Sequence, residues 1–305
     1  MDDFLTEEAT KHGLNEDEKK AFLARLRTDD EDVKVADEIN MGIASFKNYM
    51  ASLYQLTGKY SEAEPLFQQA LEISKHQLGE EHPDVANSLN CLALLYRSTG
   101  KYSEAEPLFQ QALKIRKHHL GAEHPSVVAN LNNLALLYCE TGRYSEAEPL
   151  FQQALEIKKR LLGAEHPNIA TSLHNLADLY YATRRYSEAE LFYQQALELM
   201  KRLLGAKHCH VACSLNNLGE LYRATGRYSE AELLFQEALE IRKHQLGAEH
   251  PDVANSLNNL AELYRATGRY GEAKLLYQQA LAICERSLGV AHPHTIRVRE
   301  NMHNF

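Results

Sequence analysis

The chain has 305 residues and a formal net charge of −9. This acidic balance argues against nucleic-acid binding, which usually needs a basic face. Five cysteines, an odd number at irregular spacing, favour a reducing compartment over a disulfide framework. The acidic first residues do not match a signal peptide, and the apolar runs are too short to span a membrane. We therefore expect a cytoplasmic protein without membrane association.

Residues 1–32 do not share the pattern of the rest, and we predict a helical extension there. Asn15, with Glu18 three residues later, is typical of a helix start. From Val33 the apolar residues keep a rough helical rhythm as far as Gly58. The end of this stretch already resembles the units that follow, so the first domain boundary is placed after residue 32.

From residue 33 to residue 293 the chain repeats every 42 residues without an insertion. One tyrosine marks each copy: Tyr60, Tyr102, Tyr144, Tyr186, Tyr228 and Tyr270. The length alone would suggest two globular domains. A strict repeat instead predicts a solenoid, in which each unit buries its apolar face against its neighbours.

Each unit has the pattern of two antiparallel helices. Pro83 suits the first position of a first-type helix, and Gly100 is typical of its end. Ser103 and Glu106 predict a capping box at the start of the second-type helix. Gly121 is expected to end that helix. The same signals recur along the chain, which predicts an all-α protein.

Small residues in each unit predict close packing of the helices. Ala93 and Ala105 are expected where the two helices of a unit approach each other, and Ala112 where the next unit docks. Residues 294–305 begin a further first-type helix without a second-type partner. We therefore predict a solenoid over 33–293 and a capping helix or tail over 294–305.

The pattern resembles the tetratricopeptide signature in the residues Leu89, Leu92, Ala93, Tyr96, Gly100, Tyr102, Ala105, Phe109 and Ala112. The usual unit has 34 residues, so this is a long form. It is similar to the tetratricopeptide domain of kinesin light chains and of bacterial proteins with that repeat, over roughly residues 40 to 293. The resemblance implies a right-handed superhelix with first-type helices on its concave face. It also implies a protein-interaction module.

Asparagines recur along the first-type helices in two rows. The first row is Asn48, Asn90, Asn132, Asn216 and Asn258, with His174 in the gap. The second row is Asn133, Asn175, Asn217 and Asn259, with Cys91 in the gap. Each amide offers a donor and an acceptor, so a row can pair with the backbone of an extended peptide. The alternative is that the amides bridge adjacent helices of the solenoid.

Charged and aromatic residues complete the predicted partner-binding set: Arg97, Asp178, Tyr181, Glu220, Arg223, Glu262 and Arg265. Kinesin light chains, by similarity, would imply a peptide with an aromatic residue among acidic ones. Two of the acids here precede an arginine by three residues, and such pairs partly neutralise each other. The asparagine row also has no lysine for a carboxylate clamp. We therefore favour general groove binding over a motor subunit or a chaperone cofactor.

Metal binding and catalysis find little support in the sequence. One histidine per unit precedes the first-type helix, where a capping role is expected. Cys209, His210 and Cys213 offer nitrogen and sulfur ligands, but structural zinc usually has four ligands with paired short spacings. No nucleophile stands out with a base and an orienting group, because the polar residues recur with the repeat. We predict no metal, no cofactor and no catalytic residue.

The sequence therefore predicts a module that binds an extended peptide or partner segment in a concave groove. The alternative from another class is a structural or regulatory arm, which packs on an effector domain or self-associates.

Overall fold

A computed structural model describes residues 42–303 of the chain. Those residues form thirteen α-helices and no strand, which confirms the all-α prediction for this part. The helices are α1 (Ile43–Leu56), α2 (Tyr60–Leu78), α3 (Pro83–Ser98), α4 (Tyr102–Leu120), α5 (Pro125–Glu140), α6 (Tyr144–Leu162), α7 (Pro167–Ala182), α8 (Tyr186–Leu204), α9 (Cys209–Ala224), α10 (Tyr228–Leu246), α11 (Pro251–Ala266), α12 (Tyr270–Ser287) and α13 (Pro293–His303). The helices predicted within residues 1–32 lie outside the described residues.

The chain divides into two compact units between Leu150 and Phe151, inside α6. In unit one, α1 packs on α2 and α3 packs on α4. In unit two, α7 packs on α8, α9 on α10 and α11 on α12, while α13 packs on α12. The odd-numbered helices are first-type and the even-numbered helices are second-type. Neighbouring first-type helices also contact each other directly, α1 with α3 and α3 with α5 in unit one, and α9 with α11 in unit two.

The predicted small residues lie in the core. In unit one, Ala93, Ala105 and Ala112 have no exposed surface, and Phe109 is equally buried. In unit two, Phe235 has the same environment. Burying one such aromatic side chain contributes roughly 2–3 kcal/mol. The repeat therefore stabilises itself through one recurring set of apolar contacts.

The histidines that precede the first-type helices cap them, as predicted. The Nδ1 atom of His82 accepts a hydrogen bond from the backbone N–H of Asp84 at 3.2 Å, with Pro83 in the first helical position. The same cap occurs at His124, His166, His208 and His250. This bond satisfies one of the N–H groups that the first turn leaves without a helical partner.

The predicted capping box of the second-type helices is wrong. Helix α4 begins one residue earlier, at Tyr102, and its N-cap Lys101 makes no side-chain cap hydrogen bond. Ser103 instead lies 2.7 Å from its neighbour Glu104. The physical reason is that Glu106 has a stronger partner, since its carboxylate accepts from the guanidinium of Arg143 at 2.6 Å.

This contact between repeats has three parts, and we call it the clasp. The glutamate accepts from an arginine and from a tyrosine hydroxyl, and the arginine lies over the tyrosine ring. In unit one the residues are Glu106, Arg143 and Tyr138, with the guanidinium 4.2 Å from the ring centre. In unit two they are Glu190, Arg227 and Tyr222, and again Glu232, Arg269 and Tyr264. In these three places the clasp joins a second-type helix to the following hairpin.

Candidate partner-binding face

In each of the two units the polar side chains of the first-type helices form the candidate site, and we call this surface of a unit its first-type face. In unit one it belongs to α1, α3 and α5, and in unit two to α7, α9, α11 and α13. The repeat brings equivalent positions of neighbouring first-type helices side by side. Each unit therefore carries its own short series of aligned side chains.

Several predicted asparagines bind one another across neighbouring helices. In unit one, Asn133 Nδ2 donates to Asn90 Oδ1 at 3.1 Å, and Asn48 Nδ2 donates to Ser88 Oγ at 2.9 Å. These amides bridge successive first-type helices. The structural interpretation therefore accounts for a large part of the two rows.

The same bridges recur in unit two. Asn259 donates to Asn216 at 3.4 Å, and Asn301 donates to Asn258 at 3.1 Å. Asn216 and Asn258 are only 4% and 6% exposed, which leaves them little surface for a partner. Asn301 was missed by the sequence interpretation, although it stands 42 residues after Asn259 and so continues the second row. The other two amides of that row, Asn175 and Asn217, are half-buried.

Unit one also presents polar atoms without a partner. Asn132 Nδ2 donates to the backbone oxygen of Val128 at 3.1 Å. Its Oδ1 atom, the Oδ1 atom of Asn48 and the Nη1 atom of Arg97 are buried and have no hydrogen-bond partner among the described residues. Arg97 Nε lies 3.7 Å from Glu140, a loose ion pair. Buried polar groups are usually satisfied. The three side chains are half-buried, so these unpaired atoms become available to a ligand when the side chains rotate toward solvent.

Two acid–arginine pairs of unit two neutralise themselves, as the sequence predicted. Glu220 and Arg223 lie 2.7 Å apart, and Glu262 and Arg265 lie 2.8 Å apart. Both pairs have i,i+3 spacing on one helix. The carboxylate of the same Glu262 also accepts a hydrogen bond from the hydroxyl of Tyr277. These two arginines are therefore already engaged.

Asp178 has no such arginine. Its carboxylate accepts a hydrogen bond from the hydroxyl of Tyr193, and no cationic side chain of the described residues pairs with it. Position 181, where an arginine would stand, holds a half-buried tyrosine. Asp178 is open to solvent, yet the protein packed around it raises the pKa of its carboxyl, which the Tyr193 hydrogen bond partly offsets.

Tyr193 and Tyr277, buried on the second-type helices α8 and α12, bind acids of the first-type face and were not predicted. The equivalent position in the other hairpins is phenylalanine: Phe67, Phe109, Phe151 and Phe235. Both tyrosines face an acid on the preceding first-type helix, Asp178 and Glu262. The change from phenylalanine to tyrosine, in the hairpins that carry those acids, was the available signal.

His174 replaces an asparagine of the first row and is neutral. Its Nε2 atom lies 2.8 Å from Ser214 Oγ, and its ring centre is 5.8 Å from that of Tyr193. Burial lowers the pKa of His174 to about 4. Its Nδ1 atom has no partner among the described residues. At pH 7 this side chain adds no positive charge to the first-type face.

The possible metal ligands of α9 differ from the predicted set. The structure brings His208, Cys209 and His210 together, with one ligand atom of each within 4.8 Å of the others. Cys213 is instead exposed, and its sulfur accepts from Arg242 at 3.5 Å. His208 Nδ1 is occupied by the cap of α9. Three ligands are fewer than a structural zinc site uses.

Along the described residues, no helix combines the length and the apolar composition that crossing a membrane requires.

A family model of the tetratricopeptide repeat matches residues 42–118, 126–202, 210–286 and 252–302. No curated protein matches the chain. Among solved structures, TPR-like repeats of a kinesin light chain type from Podosopora anserina are 33% identical, with a TM-score of 0.59. That match covers 68% of this chain and 99% of the other. BtubC (BKLC) from P. vanneervenii is 27% identical with a TM-score of 0.60, covering 82% of this chain and 94% of the other. The apo form of RapI, at 16% identity and a TM-score of 0.59, shares the fold.

Proposed function

Because the chain belongs to the tetratricopeptide repeat family, whose members bind other proteins or peptides, we propose that its first-type face binds an extended segment of a partner protein. The family is typically an interaction fold, and we propose a binding role without catalysis. The observation that carries this proposal is the unused polar capacity of the first-type helices. The clasp, by contrast, engages its glutamate, arginine and tyrosine with one another.

In unit one the unused polar atoms include both hydrogen-bond acceptors and a hydrogen-bond donor. Asn132 Oδ1 and Asn48 Oδ1 are free acceptors, and Arg97 Nη1 is a free donor. An extended peptide exposes backbone N–H and C=O groups in alternation, so it can supply the complementary atoms. Asn90 and Asn133 support this arrangement by fixing the neighbouring helices to each other.

In unit two the capacity lies in Asp178, Tyr181, Asn175 and Asn217. The engaged pairs of Glu220 with Arg223 and Glu262 with Arg265 border this group and limit which side chains fit beside it. We propose that the first-type face of unit two, taken by itself, binds side chains of a partner segment.

A peptide selection tests the proposal. A phage-displayed library of random dodecapeptides is panned on the full chain, and enriched peptides are measured by calorimetry. We expect Tyr181→Ala to weaken binding about tenfold, a loss of roughly 1.4 kcal/mol. The matched control is Gln195→Ala, an exposed position on the second-type helix α8 that lies outside the first-type face, and it should leave the affinity unchanged. A library without enriched peptides, or sensitivity to Gln195 alone, would overturn the proposal.

A second function, self-association, is favoured by a row of exposed leucines in unit two. Leu191, Leu233 and Leu275 occupy equivalent positions on second-type helices and are 51%, 67% and 59% exposed. The first three repeats have proline there: Pro65, Pro107 and Pro149. Exposed apolar rows commonly mark contact surfaces. We propose a second copy of the chain as the partner of this row.

Sedimentation velocity tests this second function. A concentration-dependent dimer should dissociate when the three leucines are changed to glutamine. A wild-type chain that stays monomeric at high concentration, or a dimer that the triple variant retains, would refute it.

A further inference from the structure

One first-type helix of unit two lacks the internal neutralisation that the next two possess. On α9 and α11, an acid is followed three residues later by an arginine that pairs with it. On α7 the acid is Asp178, and the residue three positions later is Tyr181. Side chains three apart on a helix are neighbours on its surface. Helix α7 therefore carries a carboxylate beside an aromatic ring, at the positions where α9 and α11 carry an ion pair.

Among residues 42–303, no cation near Asp178 is free to approach it. Arg223 on the adjacent first-type helix is held by Glu220 at 2.7 Å. His174, one turn before Asp178, is neutral at pH 7. Within the described part of the chain, the hydroxyl of Tyr193 is the only group that binds the carboxylate. One hydrogen bond leaves most of the acceptor capacity of a carboxylate unused.

We propose that Asp178 and Tyr181 together bind a lysine or arginine side chain of the partner. This inference rests on the proposed function and names the chemistry that the first-type face of unit two selects. The partner's cation completes the pair that an arginine of the chain itself completes on α9 and α11.

Tyr181 fits this role better than an aliphatic residue would. A cation over the face of a tyrosine ring is attracted by its quadrupole, by about 0.5–1 kcal/mol at exposed sites. The molecule already uses this contact in each clasp, for example Arg227 over Tyr222 at 3.7 Å from the ring centre. Burial raises the pKa of the Tyr181 hydroxyl, with the Glu220 carboxylate as the next cause, so the ring stays uncharged at neutral pH.

The charge of the surrounding face points to a cation as well. Asp178 and Glu220 contribute two negative charges, and Arg223 contributes one positive charge. An anionic side chain would meet Asp178 with no cation available to offset the repulsion. Partners are selected by such complementarity, and like charges in contact reduce affinity.

The peptide selection on the full chain supplies the test. We expect enriched dodecapeptides to share a lysine or arginine, and this enrichment to disappear when the same library is panned on Asp178→Asn. For one enriched peptide, Asp178→Asn should weaken binding about tenfold. Replacing the peptide's basic residue by methionine should weaken it equally, and the two changes combined should cost no more than either alone.

Matched variants separate the charge from general damage. Glu198→Gln removes an acid that is exposed on α8 and should leave the affinity unchanged. Tyr181→Leu should weaken the basic peptide a few-fold and its methionine version less. Raising the salt concentration should reduce the advantage of the basic peptide, since exposed charges are screened.

The outcomes distinguish this inference from the function on which it rests. If the enriched peptides lack a basic residue and Tyr181→Ala weakens their binding, the proposed cation-binding site is refuted while peptide binding at this face still holds. No enrichment on the wild-type chain would refute both. Basic peptides bound equally by wild type and Asp178→Asn would place the cation elsewhere and overturn the inference.

Discussion

Asn133 on α5 donates its side-chain amide to the side-chain oxygen of Asn90 on α3, at 3.1 Å. This bond joins the same face of two successive first-type helices. The arrangement recurs in unit two, where Asn259 donates to Asn216. A feature that the sequence suggests for peptide recognition thus also sets the spacing of the helices that would form the binding face.

This bond predicts a loss of stability in Asn133→Ala. The change leaves a half-buried amide oxygen of Asn90 without its donor, which costs about 1–2 kcal/mol. The midpoint of urea unfolding should fall accordingly. Asn217→Ala, at the equivalent position of α9, is the control, and it should have the smaller effect. Equal midpoints for both variants would show that the bridge contributes nothing.

Arg184 predicts a stabilising substitution. Its φ is 59°, in the left-handed region, whereas the equivalent residue of the next repeat is Gly226, with φ of 78°. A side chain in this conformation costs about 1–2 kcal/mol. Arg184→Gly should therefore raise the free energy of unfolding by about 1 kcal/mol. Gly226→Ala, the reciprocal change, should lower it by a similar amount, and a loss of stability in Arg184→Gly would contradict the argument.

His174 predicts a stability that depends on pH. Its pKa is about 4 in the folded chain, below the value near 6.5 of an unfolded histidine. The unfolded state therefore binds the proton first, and the contribution of neutral His174 is lost as the pH falls from about 6.5 to 4. The shift from 6.5 to about 4 corresponds to roughly 3–3.5 kcal/mol.

The test is His174→Asn, which restores the residue of the other repeats. Its thermal midpoint should exceed that of the wild type by a margin that grows between pH 7 and pH 4. Thr171→Asn, which changes an exposed and uncharged residue of the same helix, should show no growing margin. A constant difference between wild type and His174→Asn would rule out the titration.

The clasp predicts a measurable coupling between repeats. Glu190 and Arg227 lie 2.7 Å apart, and the tyrosine ring of Tyr222 adds a second contact to the arginine. Because both charged side chains are partly exposed, solvent screening limits their coupling to about 1 kcal/mol. A double-mutant cycle with Glu190→Ala and Arg227→Ala should measure this value and find it reduced at high salt. If the changes in the free energy of unfolding of the two single variants add up to that of the double variant, the clasp contributes no coupling energy.

The helices and the core could be predicted because their signals are local. Apolar spacing, Pro83 and Gly100 act within one or two turns, and the structure follows them. The capping box at Ser103 was also a local signal. It does not form, because its glutamate makes a contact with a residue far away in the sequence. Glu106 finds Arg143 in the next repeat, a stronger partner than a backbone N–H.

The site could be predicted only in part for a similar reason. The regular asparagines and the acid–arginine pairs are visible in the sequence, and both form defined contacts. Which amides face each other across neighbouring helices depends on how the helices are stacked. The bond between Tyr193 and Asp178 joins two helices. The residues next to Asp178 in the sequence therefore gave no sign that a tyrosine hydroxyl binds its carboxylate.

The most direct test of the central claim locates the bound peptide. The photoreactive residue p-benzoylphenylalanine is introduced at Tyr181 on the first-type helix α7, or at Gln195 on the second-type helix α8, in the full chain. An enriched dodecapeptide is added, the mixture is irradiated, and the crosslinked product is identified by mass spectrometry. We expect crosslinks from position 181 and none from position 195. Crosslinks from position 195 alone would contradict binding at the first-type face.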